Sequence, residues 1–99
     1  MKLNTEQNKK INEICQEFGI TREQLFEDTR LRESVEPRQI AMFYLNKTTS
    51  YSLSAIGRLF NRHYATVIYS IKKVSELAFT EPLYFERIKV LGLDSYLKE

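Results

Sequence analysis

The stretch SLSAIGRLFNRHYATVIYSIKK, residues 52–73, decides the fold of this chain. Apolar residues recur at helical spacing in both of its halves, and a short polar break separates the halves. The first predicted helix begins at Ser52, and the second begins near His63. Asn61 and Arg62 lie between them and predict a tight turn. Two helices joined in this way have the layout of a helix-turn-helix, whose second helix lies in the major groove of DNA.

Several side chains near the start of the second helix are candidates for contact with bases, because its first two turns enter the groove. They are His63, Tyr64, Thr66 and Ser70, and Tyr69 is the alternative to Ser70 on the outward side of the helix. Thr66 can donate or accept a hydrogen bond, or contact a thymine methyl group. For Tyr64 a core position is the more frequent outcome at such a place in a helix, and for His63 a solvated surface position is the alternative. Basic side chains nearby are candidates for phosphate contact: Arg58, Arg62 and Lys73.

The charge of the chain is distributed unevenly. The net charge is +2, yet residues 30–73 hold eight basic and two acidic residues, which gives +6. The flanking segments hold seven basic and eleven acidic residues, which gives −4. A basic middle between acidic ends predicts a face that meets phosphate, with chance clustering on a solvated surface as the alternative.

The rest of the chain also shows helical spacing, and no segment alternates as a strand does. We predict an all-α fold, a compact bundle of about six helices that contains the helix-turn-helix. Residues 5–18 form the first predicted helix, which Gly19 ends, and Thr21 begins a short second helix. Pro82 lies in the first turn of the sixth helix, and Gly92 ends that helix.

The third predicted helix is the most apolar and is therefore expected at the centre of the bundle. Ser34 is its predicted N-cap, and Pro37 is placed in its first turn. Met42 and Phe43 are expected partly to flank its buried face. Gly57, in the fourth helix, predicts close contact with the next helix, because an interior glycine costs about 1 kcal/mol against alanine.

Length and composition exclude several classes of protein. The 99 residues fit one domain, and with Cys15 as the only cysteine no intramolecular disulfide is possible. His63 is the only histidine, so no zinc site of Cys and His is expected. No run of about 18 apolar residues occurs, so we expect no membrane contact and a cytoplasmic location.

Two segments carry a family resemblance: VEPRQIAMFYL, residues 35–45, and SLSAIGRLFNRHYATVIYSIKKV, residues 52–74. Together they resemble the C-terminal DNA-binding domain of the bacterial replication initiator DnaA. The resemblance covers roughly residues 6–78 and is specific within residues 30–75. It implies a Trp-repressor-like helix-turn-helix that binds double-stranded DNA in replication initiation or its regulation. It predicts that residues 1–99 are a single DnaA domain IV-like unit, and we expect a stand-alone protein rather than a fragment.

The resemblance also assigns roles to particular residues. It implies that Arg30 enters the minor groove, a role that a length difference before Pro37 would shift to Arg32. Otherwise Arg32 and Arg38 are implied to contact the DNA backbone or to form structural pairs. Thr66 matches a threonine that contacts bases, whereas Gly57 matches a position that serves helix packing.

The resemblance weakens at the tip of the helix-turn-helix. Where the family has an acidic residue, a histidine and a threonine, this chain has His63, Tyr64 and Ala65, and one turn residue is missing. These are base-contacting positions in the family, so we expect an inherited frame with a changed base preference. The alternative is a protein-interaction module that keeps the fold and has lost specific base contacts. Binding of single-stranded nucleic acid through exposed tyrosines is a weaker alternative.

Catalysis is not expected of this chain. A phosphate loop of the type GxxxxGK[ST] is absent, since none of the glycines at 19, 57 and 92 begins one, so we expect neither an ATP site nor a cofactor. The six tyrosines invite comparison with tyrosine recombinases and transposases. Those enzymes need a larger catalytic domain or paired metal-binding histidines, which this chain lacks.

Overall fold

The structure, a computed structural model, describes residues 2–27 and 31–97. Within those ranges it contains helices and a terminal 3₁₀ turn and no strand, which confirms the prediction of an all-α bundle. The helices are α1 (Thr5–Phe18), α2 (Arg22–Phe26), α3 (Arg32–Thr48), α4 (Leu53–Leu59), α5 (Tyr64–Thr80) and α6 (Pro82–Val90), followed by the 3₁₀ turn Asp94–Tyr96. No helix in the described part of the chain is long and apolar enough to cross a membrane.

Short-range capping fixes the ends of α1 and α2. The side chain of Asn4 accepts a hydrogen bond from the N–H of Gln7, and the Gln7 side chain accepts one from the N–H of Asn4. Thr21 and Gln24 form the same reciprocal pair at the start of α2. Gly19 ends α1 in the left-handed conformation, which glycine adopts without steric cost. These predicted boundaries are confirmed.

The start of α3 differs from the prediction. Ser34 is not the N-cap: its N–H and that of Val35 both donate to the carbonyl of Leu31, so the turn before Ser34 is already helical. Pro37 consequently lies in the second turn and not in the first. Its ring has no N–H to donate to the carbonyl of Glu33, one turn earlier in the helix.

Helix α3 forms the centre of the bundle, as predicted, and packs against α1, α2, α4 and α5. All residues in the range 40–45 are buried, and they anchor the hydrophobic core. Met42 and Phe43 are completely buried, so the expectation that they flank the core is wrong. Because neighbours surround this helix, its apolar face is wider than an amphipathic surface helix would have.

The helix-turn-helix, α4 and α5, is held against this core by its apolar stripe. Ile56 and Phe60 are buried on the α4 side, and Val67 and Val74 on the α5 side. The ring of Phe60 also stacks on that of Phe26 in α2, with ring centroids 4.9 Å apart. The start of α5 therefore projects from a rigid base.

Candidate nucleic-acid interface

The turn between α4 and α5 is closed by backbone hydrogen bonds. The N–H of Arg62 donates to the carbonyl of Gly57 at 2.8 Å, and the N–H of Asn61 donates to the carbonyl of Arg58 at 3.2 Å. Asn61 itself is left-handed, with a φ of 54°. This is the Schellman pattern, in which asparagine can replace the usual glycine. The shortened turn is thus compatible with a tight helix-turn-helix.

Gly57 is required by this turn. A β-carbon on residue 57 would lie 2.5 Å from the carbonyl oxygen of Arg62, too close for any side chain. The close contact predicted for Gly57 exists, but its neighbour is the backbone of the turn and not the next helix. The glycine lets the chain reverse within a few residues and sets the direction in which α5 leaves α4.

His63 is the N-cap of α5. Its Nδ1 accepts a hydrogen bond from the N–H of Ala65 at 3.2 Å. In a neutral imidazole the other ring nitrogen then carries the proton, so Nε2 of this exposed side chain is a donor. His63 therefore stabilises the helix with one nitrogen and leaves the other for a base or a phosphate.

Tyr64 lies beside His63 on the surface. Its ring centroid is 4.4 Å from that of His63, and 47% of the side chain is exposed. The core position for Tyr64 is therefore wrong.

Thr66 and Tyr69 are exposed further along α5, whereas Ser70 is not. Only 1% of Ser70 is exposed, and its hydroxyl donates to the carbonyl of Thr66 at 2.8 Å. The prediction that Ser70 contacts bases does not fit this placement. Tyr69, which is 57% exposed, takes its place on the outer side of the helix. Helical spacing is the signal for Tyr69, because it follows the exposed Ala65 by four residues.

We call the exposed side chains of the first two turns of α5 the groove face. It consists of Tyr64, Ala65, Thr66 and Tyr69. Thr66 and Tyr69 also line a small cleft between α3 and α5, of about 160 Å³, together with Arg38, Arg62 and Ser70. The structure thus brings several of the predicted site residues to one surface.

Basic side chains precede and follow the groove face along the chain. Arg58 is exposed in the last turn of α4, and Lys72 is exposed one turn beyond Tyr69. Lys73 forms an ion pair with Glu76, with 3.5 Å between Nζ and a carboxylate oxygen. Both partners are partly exposed, so the pair is weak and leaves Lys73 accessible to a phosphate.

The guanidinium of Arg62 is turned toward its own backbone. Its Nη1 donates to the carbonyls of Phe60 at 3.3 Å and Asn61 at 3.4 Å. These carbonyls belong to the end of α4, where helical partners are missing. Arg62 thereby stabilises the turn beside the groove face.

The remaining predicted arginines lie elsewhere. Arg38 is 5% exposed, and its guanidinium donates to the carbonyls of Leu25 and Glu27 at 3.1 Å each, so it joins α3 to the end of α2. Of its two predicted roles, this placement fits the structural one. Arg32 is exposed at the start of α3, beside a groove that also borders the C-terminal part of α5 and α6. Arg30 lies outside the described residues.

The described residues include no group of His, Cys, Asp and Glu side chains that could hold a metal ion. The thiol of Cys15 is buried, and burial raises its pKa, so its neutral form is favoured. The groove face, with His63 beside it, offers hydroxyl groups, aromatic rings, methyl groups and one imidazole.

Known proteins are similar to this chain over the helix-turn-helix and the helices that support it. The family model described as "Bacterial dnaA protein helix-turn-helix" matches residues 9–74, which run from α1 into α5. A chromosomal replication initiator protein DnaA from a Synechococcus species is 44% identical over 75 residues, 75% of this chain and 16% of that protein. The DnaA of a Thermus thermophilus strain is 44% identical over 69 residues, 69% of this chain and 16% of that protein. The DnaA of Buchnera aphidicola subsp. Baizongia pistaciae is 49% identical over 61 residues, 61% of this chain and 13% of that protein.

This chain spans about a sixth of the length of the Synechococcus and Thermus relatives. The matched residues include α4, the turn and the groove face. They leave α6 outside the match. The shared region is thus the helix-turn-helix and the helices that support it.

Proposed function

Since this chain belongs to the bacterial DnaA helix-turn-helix family, we propose that it binds double-stranded DNA with a preference for particular sequences. One observation carries the proposal: the start of α5 is exposed, its helix packs against α3 and α4, and Arg62 borders the cleft that Thr66 and Tyr69 line. A helix of this kind fits the major groove, where side chains of its first turns reach base edges.

The charges around the groove face support contact with the phosphate backbone. Arg58 lies in the preceding helix, and Lys72 and Lys73 follow on α5, where a helix leaves the groove. We expect these basic residues to contact the phosphate strands that border the groove. Such contacts fix the position of a protein on DNA, and the groove face then determines the sequence preference.

We further propose that the chain acts in replication initiation or in its regulation, since its relatives are chromosomal replication initiator proteins. Its own contribution is binding, with DNA as the partner, and not catalysis.

Fluorescence anisotropy with labelled duplex DNA tests the proposal. We expect binding at low salt that weakens steeply as salt is added, because bound phosphates release counterions. Unlabelled duplex should compete better than the same strands used singly. No duplex binding at low salt would contradict the proposal, and preferential binding of single strands would replace it with the single-strand alternative.

A pair of lysine variants locates the binding face. Lys73→Ala should lower the slope of log affinity against log salt by about 1, with the same effect on all sequences. Lys89→Ala removes an equal charge from the exposed surface of α6 and should leave the slope unchanged. Equal effects of both substitutions would mean that DNA binds nonspecifically over the whole protein.

A protein-interaction role is the second candidate, and the surface of α6 favours it. Leu83 is 83% exposed and Val90 is 71% exposed, and their separation of seven residues puts them on one side of the helix. A partner that stays bound after nuclease treatment and is lost from a Leu83→Ser, Val90→Ser double variant would support this role. Duplex binding that the double variant retains would leave DNA binding as the function.

A further inference from the structure

The most exposed large apolar side chains of the described residues lie together on α6. Leu83 is 83% exposed and Val90 is 71% exposed, more than any other large apolar side chain in the described ranges. Tyr84 and Ile88 are buried on the other side of the same helix, where α6 meets the hydrophobic core. Two strongly exposed apolar side chains on one side of a helix form a candidate contact surface.

Two opposite charges complete this surface. Glu86 and Arg87 are exposed, and they lie between Leu83 and Val90 in the sequence. With 3.6 residues per helical turn, these four positions fall within an arc of about 100° around the helix. Glu86 lies at one edge of the arc and Arg87 at the other, with Leu83 and Val90 along its middle. We call these four residues the α6 face.

Arg87 is positioned to form an ion pair with a second molecule. Its guanidinium carbon lies 4.6 Å from the centre of the Phe18 ring. Stacking of this kind uses the flat face of the guanidinium and leaves N–H groups on its edge for a carboxylate. In the described part of the chain neither Glu86 nor Arg87 forms an ion pair.

A second copy of this chain carries the complementary surface. In a parallel pair of α6 helices related by a twofold axis, Leu83 packs on its counterpart and Val90 on its own. Opposite edges of the two faces then meet, so Glu86 of each copy faces Arg87 of the other, as flanking charges do in a parallel coiled coil. In an antiparallel pair like edges would meet, and each charge would face its own counterpart, which opposes association. The charges therefore favour the parallel arrangement.

We propose that the α6 face is a self-association surface, through which two copies of this chain form a parallel pair with twofold symmetry. The proposal specifies the partner for a surface outside the groove face and does not depend on DNA binding. Helix α6 has nine residues and is about 14 Å long. The interface is therefore small, and the dimer is expected to be weak and to form as the protein concentration rises.

Sedimentation equilibrium of the protein without DNA tests the proposal. We expect the average mass to rise from the 11.7 kDa of one chain toward twice that value as the concentration is raised. The Leu83→Ser, Val90→Ser double variant should keep the mass of a single chain over the same range. A parent protein that stays monomeric at millimolar concentration would overturn the proposal, and so would a double variant that associates as the parent does.

Exchange of the two charges tests the parallel arrangement. Glu86→Arg and Arg87→Glu each place like charges opposite one another, so each should weaken self-association about tenfold or more. In an equimolar mixture of the two variants, one copy contributes two arginines and the other two glutamates, so association should return to the level of the parent. Lys89→Glu makes the same change of charge as Arg87→Glu, outside the α6 face, and should leave self-association unchanged.

The remaining outcomes separate this inference from the proposed function. Single-charge variants that associate as the parent does, or an equimolar mixture that stays monomeric, would overturn the parallel pair. The substituted positions are exposed, so the variants should unfold at nearly the same temperature as the parent. Failure of the parent to bind any duplex would overturn the proposed function, whereas a concentration-dependent dimer would still support this inference.

Discussion

The carbonyl oxygen of Arg62 lies 2.5 Å from the position that a β-carbon on residue 57 would occupy, and the N–H of Arg62 donates to the carbonyl of Gly57 at 2.8 Å. The backbones of the two residues therefore lie in direct contact. One hydrogen bond joins them, and the missing side chain of Gly57 leaves room for the carbonyl of Arg62. The direction in which α5 leaves α4 depends on this contact, because it closes the turn that joins the two helices.

Gly57→Ala tests that contact. In a helix interior alanine is normally more stable than glycine by about 1 kcal/mol. Here, however, its methyl group would meet backbone atoms that cannot move aside without opening the turn. We expect the free energy of unfolding to fall by about 1–3 kcal/mol, as overpacking typically costs, in chemical denaturation. Ser54→Ala, at an exposed position of the same helix, is the control and should not destabilise the protein. A stabilised Gly57→Ala variant would show that the turn has room.

His63 should affect stability and DNA binding separately. His63→Ala removes the N-cap of α5 and should lower the free energy of unfolding by about 1 kcal/mol. His63→Ser restores a capping oxygen and should recover that stability. If Nε2 contacts DNA, both variants should bind duplex more weakly than the parent, by a similar factor in anisotropy titrations. A serine variant with full affinity would limit His63 to a capping role.

Arg38 and Arg58 should give opposite results although both are predicted site residues. Arg38→Met leaves the carbonyl of the buried Leu25 and that of Glu27 without their donor, so we expect a loss of about 2 kcal/mol or more in the free energy of unfolding. Arg58→Met removes an exposed charge and should weaken duplex binding with little change in stability. The comparison needs thermal unfolding and anisotropy on the same two preparations. A stable Arg38→Met variant with reduced affinity would instead make Arg38 a DNA contact.

Tyr84 should make the protein sensitive to alkali. Burial raises the pKa of its phenol, and the nearby carboxylate of Glu36 raises it further. Above pH about 10 the unfolded chain loses this proton first. The folded chain then holds more protons than the unfolded one, so stability falls as pH rises. Within the described chain the Tyr84 hydroxyl is buried without a hydrogen-bond partner.

Tyr84→Phe follows from both observations. At neutral pH it should be neutral or stabilising, because it removes a buried polar group that makes no hydrogen bond. It should also reduce the alkaline loss without abolishing it, since burial likewise raises the pKa of Tyr44. Unfolding midpoints measured from neutral to alkaline pH check this. A clear destabilisation at neutral pH would mean that the Tyr84 hydroxyl has a partner in solution.

The helix ends that rest on local chemistry could be predicted from the sequence. The predicted ends set by Thr21 with Gln24, by Ser52 and by Gly92 involve only residues three or four positions apart. All groups that determine these helix ends are therefore visible in the sequence. Ser34 is a predicted helix end that the structure does not have. It has the right chemistry for a cap, but Leu31 supplies the carbonyl that begins the helix one turn earlier.

The sequence predicts where the candidate site lies along the chain better than it predicts which side chains belong to the site. Tyr69 and Ser70 are adjacent, and only the packing of α5 against α3 decides which of them faces outward. Arg38 carries the charge expected of a phosphate contact. Its hydrogen bonds to the carbonyls of Leu25, in α2, and Glu27, just after α2, depend on the tertiary structure. Spacing along the chain does not reveal them.

We propose that the start of α5 is the surface that meets DNA. Titration of the ¹⁵N-labelled protein with a selected duplex, followed by amide chemical shifts, tests it most directly. We predict that the largest changes occur at residues 63–69 and at Lys72 and Lys73, with little change at residues 82–90 of α6. Changes concentrated on α6, with the start of α5 unaffected, would contradict the account.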